Sequence, residues 1–537
     1  MGLVGDLRMY GRFMTSLPAY LRHPITTEEA RAMVRRRLAD REANFLRLLE
    51  RGIYGHPRSP YLPLLKAAGA ELGDIRAMLR ARGVEGTLRE LREAGVYVTF
   101  EQFKGREPIT RGSLVVPVQP SDFDNPHLRR AYQSETGGST GAGTRVDTDL
   151  DHLAEEASYH ALTLETHGVR DIPIALWRGV LPDGSGVNNM LRFARCGVAV
   201  DRWFSQISER EDGVALKYRL ATRGIVLISR LSGAPLPRPE VVGVNEAHLV
   251  ARWAAAALGA RGRCLVVTVV SRALRVCSAA EAEGIDLAGT TFWVGSEPPT
   301  AAKMKVIEQA GARHFPGYSL SETGRVGIGC AHPVGVDDLH LLTDGLALVQ
   351  HQRPVPGLEI TVSAFHFTTL LATAPKILLN VEIDDYGTVE ERSCGCALDD
   401  VGLTTHVRDI RSFRKLKGEG VTVPGSEMVH ILEEVLPARF GGGPLDYQLV
   451  EEEEAAGLTR LSLLISPRIA IADEAAVVAA VLEALGRGSA AADQARVIWG
   501  QAKTLRVKRM EPIATARGKL MPLHLETRRT SHRPPNA

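Results

Sequence analysis

Three groups of residues in this chain have types and spacings that could do chemistry. The first is the run Ser134-Glu135-Thr136-Gly137-Gly138-Ser139-Thr140-Gly141-Ala142-Gly143-Thr144-Arg145. Glycine permits positive φ and lets a ligand approach the backbone closely. Successive exposed N–H groups form a concave nest for anions. The hydroxyls of Thr136, Ser139, Thr140 and Thr144 add rotatable donors. That chemistry suits phosphate, although a Gly/Ser/Thr run also suits a flexible linker. The second group is Tyr318-Ser319-Leu320-Ser321-Glu322. Its aromatic face can stack on a purine, its hydroxyls can reach a phosphate and its carboxylate can hold Mg²⁺. The third is Cys330, His340 and the pair Cys394 and Cys396, with His332 as a rival to His340. Three thiolates and an imidazole fit a closed, structural Cys₃His zinc site in a reducing compartment. Unlinked thiols beside a surface histidine are the plainer alternative.

Two familiar phosphate loops are excluded. Gly138 to Gly143 has Walker spacing, but Thr144 stands where the lysine must be. Gly141-Ala142-Gly143 lacks the third glycine of a dinucleotide fingerprint. The run instead resembles the Ser/Thr/Gly loop of the adenylate-forming enzymes, which include acyl-CoA synthetases and peptide-synthetase adenylation domains. The phenylacetate–CoA ligase-like branch carries Thr at the usual lysine position, as Thr144 does. Further segments match in order. Gly295-Ser296-Glu297-Pro298 resembles the stretch that lies against the adenine. Tyr318 to Glu322 resembles Tyr-Gly-x-Thr/Ser-Glu, with Ser319 in the glycine position. Asp385, in Ile383-Asp384-Asp385-Tyr386-Gly387, falls on the ribose-binding aspartate, with Asp384 replacing a glycine. Arg411, Lys417 and Gly420 resemble the hinge segment, with Phe413 at the usual hinge residue. Gly518-Lys519, near the chain end, resembles the turn that carries the superfamily's catalytic lysine. Some members of the branch carry a similar Cys…His…Cys-x-Cys set.

The elements that must position these residues read as an α/β fold, with helix-covered β-sheets in a large N-terminal domain and a small, mobile α+β C-terminal domain. An amphipathic helix is expected from Thr26, with Glu29 at capping-box spacing, to about Gly55. Helices at 64–82 and 88–93 complete a helical N-terminal segment of about 110 residues. Strands are expected at 115–118, 172–177, 225–228 and 265–270, the last as a buried parallel strand. Helices are expected at 147–167 and 246–258. The small domain should hold helices at 426–436 and 473–485, with strands at 447–451 and 461–465. The expected boundaries are 1–410 and 411–527, with a disordered tail at 528–537.

The chain has 537 residues, enough for two or three domains. A net charge of +2 gives no support to a nucleic-acid or membrane-surface role. No apolar run approaches the roughly 18 residues of a spanning helix. The start lacks a signal-peptide core, so a cytoplasmic protein is expected. Cys196, Cys264 and Cys277 sit among apolar neighbours and read as buried thiols.

The resemblance implies an ATP-dependent, AMP-forming ligase. A carboxylic acid, aromatic by analogy with the branch, would attack the α-phosphorus of ATP. The loop would hold the β- and γ-phosphates, Ser321 and Glu322 would serve the phosphates and Mg²⁺, and Lys519 would bridge the carboxylate and α-phosphate. CoA, an amine, a hydroxyl or a carrier-protein thiol could accept the acyl group, so amide or ester synthesis stays open. A homodimer stays open as well. A degenerate member that binds nucleotide without turnover is the reading from a different class.

Overall fold

Strands Ile174–Trp177 and Cys264–Val269 are buried at every position, and Thr290–Gly295 at all but the last. Continuous apolar burial is what a parallel sheet covered on both faces requires. The structure, a computed structural model, describes residues 3–129, 131–135, 145–181, 183–205, 216–297, 299–354, 361–412, 416–418, 421–423, 425–453, 459–485, 505–514, 520 and 522–525. Among these, the largest sheet has twelve strands. One half is parallel, in the order Pro239–Val241, Arg202–Ser205, Ile174–Trp177, Cys264–Val269, Thr290–Gly295 and Arg313–Leu320. The other half begins where Gly324–Gly329 pairs antiparallel with Arg313–Leu320. It continues through Leu339–Leu341, Thr405–Ser412, Val381–Glu391, Thr361–Thr369 and Leu346–Pro354.

The chain divides into two compact units, the larger ending at Arg411 and the smaller built mainly from Ser412 onward. In the smaller unit, Thr459–Ile465 pairs antiparallel with Tyr447–Glu453 and parallel with Leu505–Arg509. Helix Glu474–Leu485 buries Val477, Ala480, Val481 and Leu485, and the core of this unit joins them to Leu449, Leu461 and Leu463. The expected tail at 528–537 lies outside the described residues.

Several boundaries differ from expectation. Residues 225–228 belong to helix Leu216–Leu231, not to a strand. Its buried positions are Tyr218, Ala221, Thr222, Ile225, Val226 and Ser229, a helical period, so packing overrides the β-branched preference. Thr26 and Glu29 form the capping box, with reciprocal bonds of 2.8 and 3.2 Å. The helix it opens ends at Ala39, followed by Arg41–Leu48 and a π turn at Leu49–Tyr54. The break expected between 82 and 88 falls instead at 68–71, between helices Tyr61–Ala67 and Leu72–Glu93, and Gly83, where φ is 66°, only kinks the second. The N-terminal helix Leu3–Leu21 had no sequence-based counterpart. Its Phe13, Leu17 and Tyr20 share a core with Tyr218 and Ile225.

Candidate active site

In an open parallel sheet, ligands bind at the carboxyl ends of the strands where the strand order reverses. Here the chain runs outward from Ile174–Trp177 through Arg202–Ser205 to Pro239–Val241. It then returns to the opposite side of the first strand with Cys264–Val269. The reversal lies between Trp177 and Val269.

The expected adenine stretch follows the carboxyl end of the neighbouring strand. Gly295 pairs with Gly317 across the sheet, and a Cβ on Gly295 would lie 2.8 Å from the Gly317 carbonyl oxygen. Glycine is required there by the close approach. Ser296 follows with φ of 68°, an uncommon left-handed conformation for a residue with a Cβ. Its Oγ accepts a 3.0 Å bond from Arg178 Nη1. Glu297, expected at the nucleotide, has a partner within the chain. It is buried and accepts bonds from the Ser271 N–H and hydroxyl at 2.7 and 2.8 Å. It thereby satisfies the free amino end of helix Val270–Glu283. Pro298 lies outside the described residues.

Tyr318 and Ser319 stand at a bulge where Arg313–Leu320 meets Gly324–Gly329. The bulge aims the tyrosine across the sheet, where its hydroxyl donates a 2.5 Å bond to Asp385 Oδ2. Burial, then the Asp385 charge, raises the phenol well above its ordinary pKa, so it stays protonated as a donor. Asp385 lies within strand Val381–Glu391, a firmer setting than the solvated turn that an Asp-Asp pair suggests.

Ser321 occupies the turn beyond the bulge, and Glu322 is buried. Glu322 Oε1 forms a 3.0 Å ion pair with Lys104 Nζ, a partner that no sequence motif marks. The ammonium compensates the buried carboxylate. Gly324, with φ of 89°, closes the turn. A Cβ there would lie 2.3 Å from Glu156 Oε1 and 2.5 Å from His152 Nε2. Glu156 is buried, paired with Arg192, and accepts the Arg325 N–H at 2.6 Å. Burial alone would raise its pKa, but Arg192, His152 and the Arg325 N–H outweigh it and hold the carboxyl below its usual range. Gly324→Ala should therefore force this buried pair apart. We expect a loss of on the order of 3 kcal/mol, the scale of a broken buried ion pair, read as a lowered melting temperature. An unchanged melt would show that the turn relaxes freely.

Arg411 is the last residue but one of strand Thr405–Ser412 and reaches Asp337 Oδ2 at 3.4 Å. Asp409 precedes it with φ of 56°. Lys417 lies on strand Leu416–Gly418. Strand Ala131–Glu135 pairs with Arg145–Asp149 so that Glu135 opposes Arg145. The Ser/Thr/Gly run therefore begins and ends on two paired antiparallel strands. Residues 136–144, carrying Thr136, Gly137, Gly138, Ser139, Thr140, Gly141 and Thr144, lie outside the described residues. So do Phe413, Gly420 and Lys519.

The cysteine cluster comes together. Cys394 and Cys396 Sγ lie 3.4 and 3.2 Å from His340 Nε2. His340 Nδ1 bonds the Leu403 carbonyl at 2.6 Å. A carbonyl only accepts, so Nδ1 carries the proton and the Nε2 lone pair faces the thiols. The His332 N–H points at Cys330 Sγ at 3.3 Å, while its ring bonds the Cys394 carbonyl at 2.9 Å. His332 thus braces the cluster through its backbone N–H and its ring Nδ1. His406, unmarked in the sequence reading, also approaches. Ligand atoms of Cys330, His340, Cys394 and His406 lie within 4.8 Å of one another. His406 Nδ1 is held by Asp338 Oδ1 at 2.8 Å. Five groups therefore converge, and four suffice for zinc. Cys196, Cys264 and Cys277 are buried elsewhere. Among the described residues, no helix is long and apolar enough to cross a membrane.

No family model and no curated protein matches the chain. Solved structures do. A 2-hydroxyisobutyryl-CoA ligase in its postadenylation state with 2-HIB-AMP shares 13% identity over 94% of this chain and 91% of its own, with a TM-score of 0.53. The anthranilate CoA ligase AuaEII with anthranoyl-AMP shares 13% identity over 81% of this chain and 74% of its own, with a TM-score of 0.44. ATP-bound MatB from Rhodopseudomonas palustris shares 13% identity over 72% and 66%, with a TM-score of 0.41. Across nearly its whole length, the chain has the two-domain α/β fold of the adenylate-forming 2-hydroxyisobutyryl-CoA ligase.

Proposed function

We propose that the protein is an ATP-dependent, AMP-forming acid ligase of the adenylate-forming superfamily, in its phenylacetate–CoA ligase-like branch. The observation that carries this is the convergence of Ser296, the Tyr318–Asp385 pair and Glu322 beside the strand-order reversal of a fold shared with an acyl-adenylate-bearing ligase. A carboxylate oxygen attacks the α-phosphorus of ATP, and pyrophosphate leaves with the electron pair of the broken P–O bond. A CoA thiol, or another nucleophile, then displaces AMP from the acyl carbon. Such chemistry rests on positioning and on stabilising charge. Ser296 and Tyr318 border the adenine, while Asp385, held in place by the Tyr318 hydroxyl, and Arg411 take the ribose. Glu322, paired here with Lys104, would hold Mg²⁺, whose charge would neutralise the phosphates. Lys519 meets the charge developing on the α-phosphate.

A zinc ion on Cys330, His340, Cys394 and Cys396 fits the donor set and the fixed histidine tautomer, with His406 as the alternative fourth ligand. Its role is to crosslink three chain segments, and no reaction step uses it.

The direct test is ATP–pyrophosphate exchange over a panel of aromatic, aliphatic and dicarboxylic acids. Exchange with none, by protein that binds ATP, would leave a nucleotide-binding protein without turnover. The loop gives a second test. Its grip on phosphate must come from backbone N–H groups and neutral hydroxyls. Each hydrogen bond to a charged group is worth about 1.5–3 kcal/mol. Gly141→Val should therefore weaken ATP binding by about 10- to 100-fold or more, with a smaller loss for AMP. Calorimetric titration of both nucleotides decides it, since equal losses would remove the loop from the β/γ-phosphates.

A further inference from the structure

Among the described residues, two buried guanidinium groups near the strand-order reversal form no direct ion pair with a carboxylate. Arg178 directly follows strand Ile174–Trp177 and is only 8% exposed. It donates to the Thr268 carbonyl at 2.6 Å and to Ser296 Oγ at 3.0 Å, both neutral acceptors. Arg325 is also 8% exposed, and its guanidinium lies 4.7 Å from the centre of the Trp293 ring. The Nε of each arginine is buried without a hydrogen-bond partner.

The two groups are neighbours. Gly295 and Gly317 are register partners on adjacent parallel strands. A Cβ on Gly295 would lie 3.9 Å from Arg178 Nη2, and one on Gly317 would lie 2.9 Å from Arg325 Nη1. Positions 293, 295, 315 and 317 alternate onto one face, which Trp293 and Phe315 pack against Leu153, Met190 and Phe193 of the covering helices. Tyr318 points to the other face. The nearby carboxylates bond other groups directly, Glu156 to Arg192, Glu297 to Ser271 and Asp183 to the Ser185 N–H, and offset the two arginines only through space, Asp183 and Glu297 acting on Arg178 and Glu156 on Arg325. Among the described residues, neither arginine forms an ion pair.

Burial of this kind is costly. It lowers Arg178 to about 10 and, together with Arg192 and Arg178, lowers Arg325 to about 9. Apolar residues would fill the same space at less cost unless an anion is the intended partner.

We propose that Arg178 and Arg325 receive a second anionic group on the acid, remote from the carboxylate that is activated, so that the substrate class is dicarboxylic acids. This rests on the acid-adenylating reading. A guanidinium pair on the reacting carboxylate would stabilise a charge that adenylation removes, and so would oppose the step. A group that stays anionic throughout loses nothing. Planar forks also match a carboxylate bidentately.

The test is ATP–pyrophosphate exchange with matched acids: phthalate against benzoate, and succinate against butyrate. Wild-type protein should prefer the diacid of at least one pair by about 10-fold or more in kcat/KM, the scale of one charged hydrogen bond. Arg325→Gln should collapse that ratio, and Arg325→Lys should restore part of it. Exchange with monoacids and no diacid preference in either pair would overturn this inference and leave the ligase reading intact. A diacid preference that Arg325→Gln and Arg178→Gln, both folded by circular dichroism, leave unchanged would overturn it too. No exchange with any acid would sink the ligase reading, and this inference with it.

Discussion

Cys394→Ser should release the metal and lower the stability of the large unit by roughly 4 kcal/mol or more, the scale at which loss of a structural metal stands out among substitutions. Wild-type protein purified without chelator should hold about one zinc per chain. The proposed ligands come from three separated segments: Cys330 just after strand Gly324–Gly329, His340 on Leu339–Leu341, and Cys394 with Cys396 in the turn beyond Val381–Glu391. Losing the crosslink frees that turn and leaves buried His340 Nε2 facing thiols alone. Because the thiols must be deprotonated to bind, occupancy should fall as pH drops. Below the melting transition, pyrophosphate exchange by Cys394→Ser should stay within a few-fold of wild type, since no step passes through the ion. Elemental analysis without zinc would end the proposal. A metal that survives Cys394→Ser but not His406→Ala would instead move the fourth ligand to His406.

Lys519→Ala should lower adenylation by about 10²- to 10³-fold, as removal of one preorganised donor to a developing oxyanion does. Transfer from a supplied acyl-adenylate should remain near wild type, because Lys519 is assigned to the attack of the carboxylate on the α-phosphorus, a step that half-reaction omits. The two half-reactions can be read separately, by pyrophosphate release in a single turnover and by AMP release from the acyl-adenylate. Wild-type pyrophosphate release would remove Lys519 from the mechanism. Equal loss in both half-reactions would give it a structural role in the small unit instead.

Much of this was legible in the order of residues. Apolar runs such as Cys264–Val269 declare a buried strand because burial on both faces leaves no polar positions. Thr26 and Glu29 declare a helix start because the capping box is a local geometry. The Tyr318 to Glu322 motif and the cysteine set could be singled out because their side-chain chemistry is intrinsic. Three-dimensional packing alone decided the rest. Residues 225–228 became helix because the core takes up one face at helical spacing. Lys104 reached Glu322, 218 residues away, through a fold that no local signal encodes. Glu297 holds a helix end, which depends on where the Val270–Glu283 helix begins. His406 joined the cysteine cluster because Leu339–Leu341 pairs with Thr405–Ser412, and that pairing sets His340 opposite it. Arg178 and Arg325 read in sequence as two ordinary arginines. Only the pairing of Gly295 with Gly317 brings them together on one covered face. Local chemistry and periodicity are carried by neighbouring residues, whereas charge pairing and burial depend on distances that only the folded chain sets.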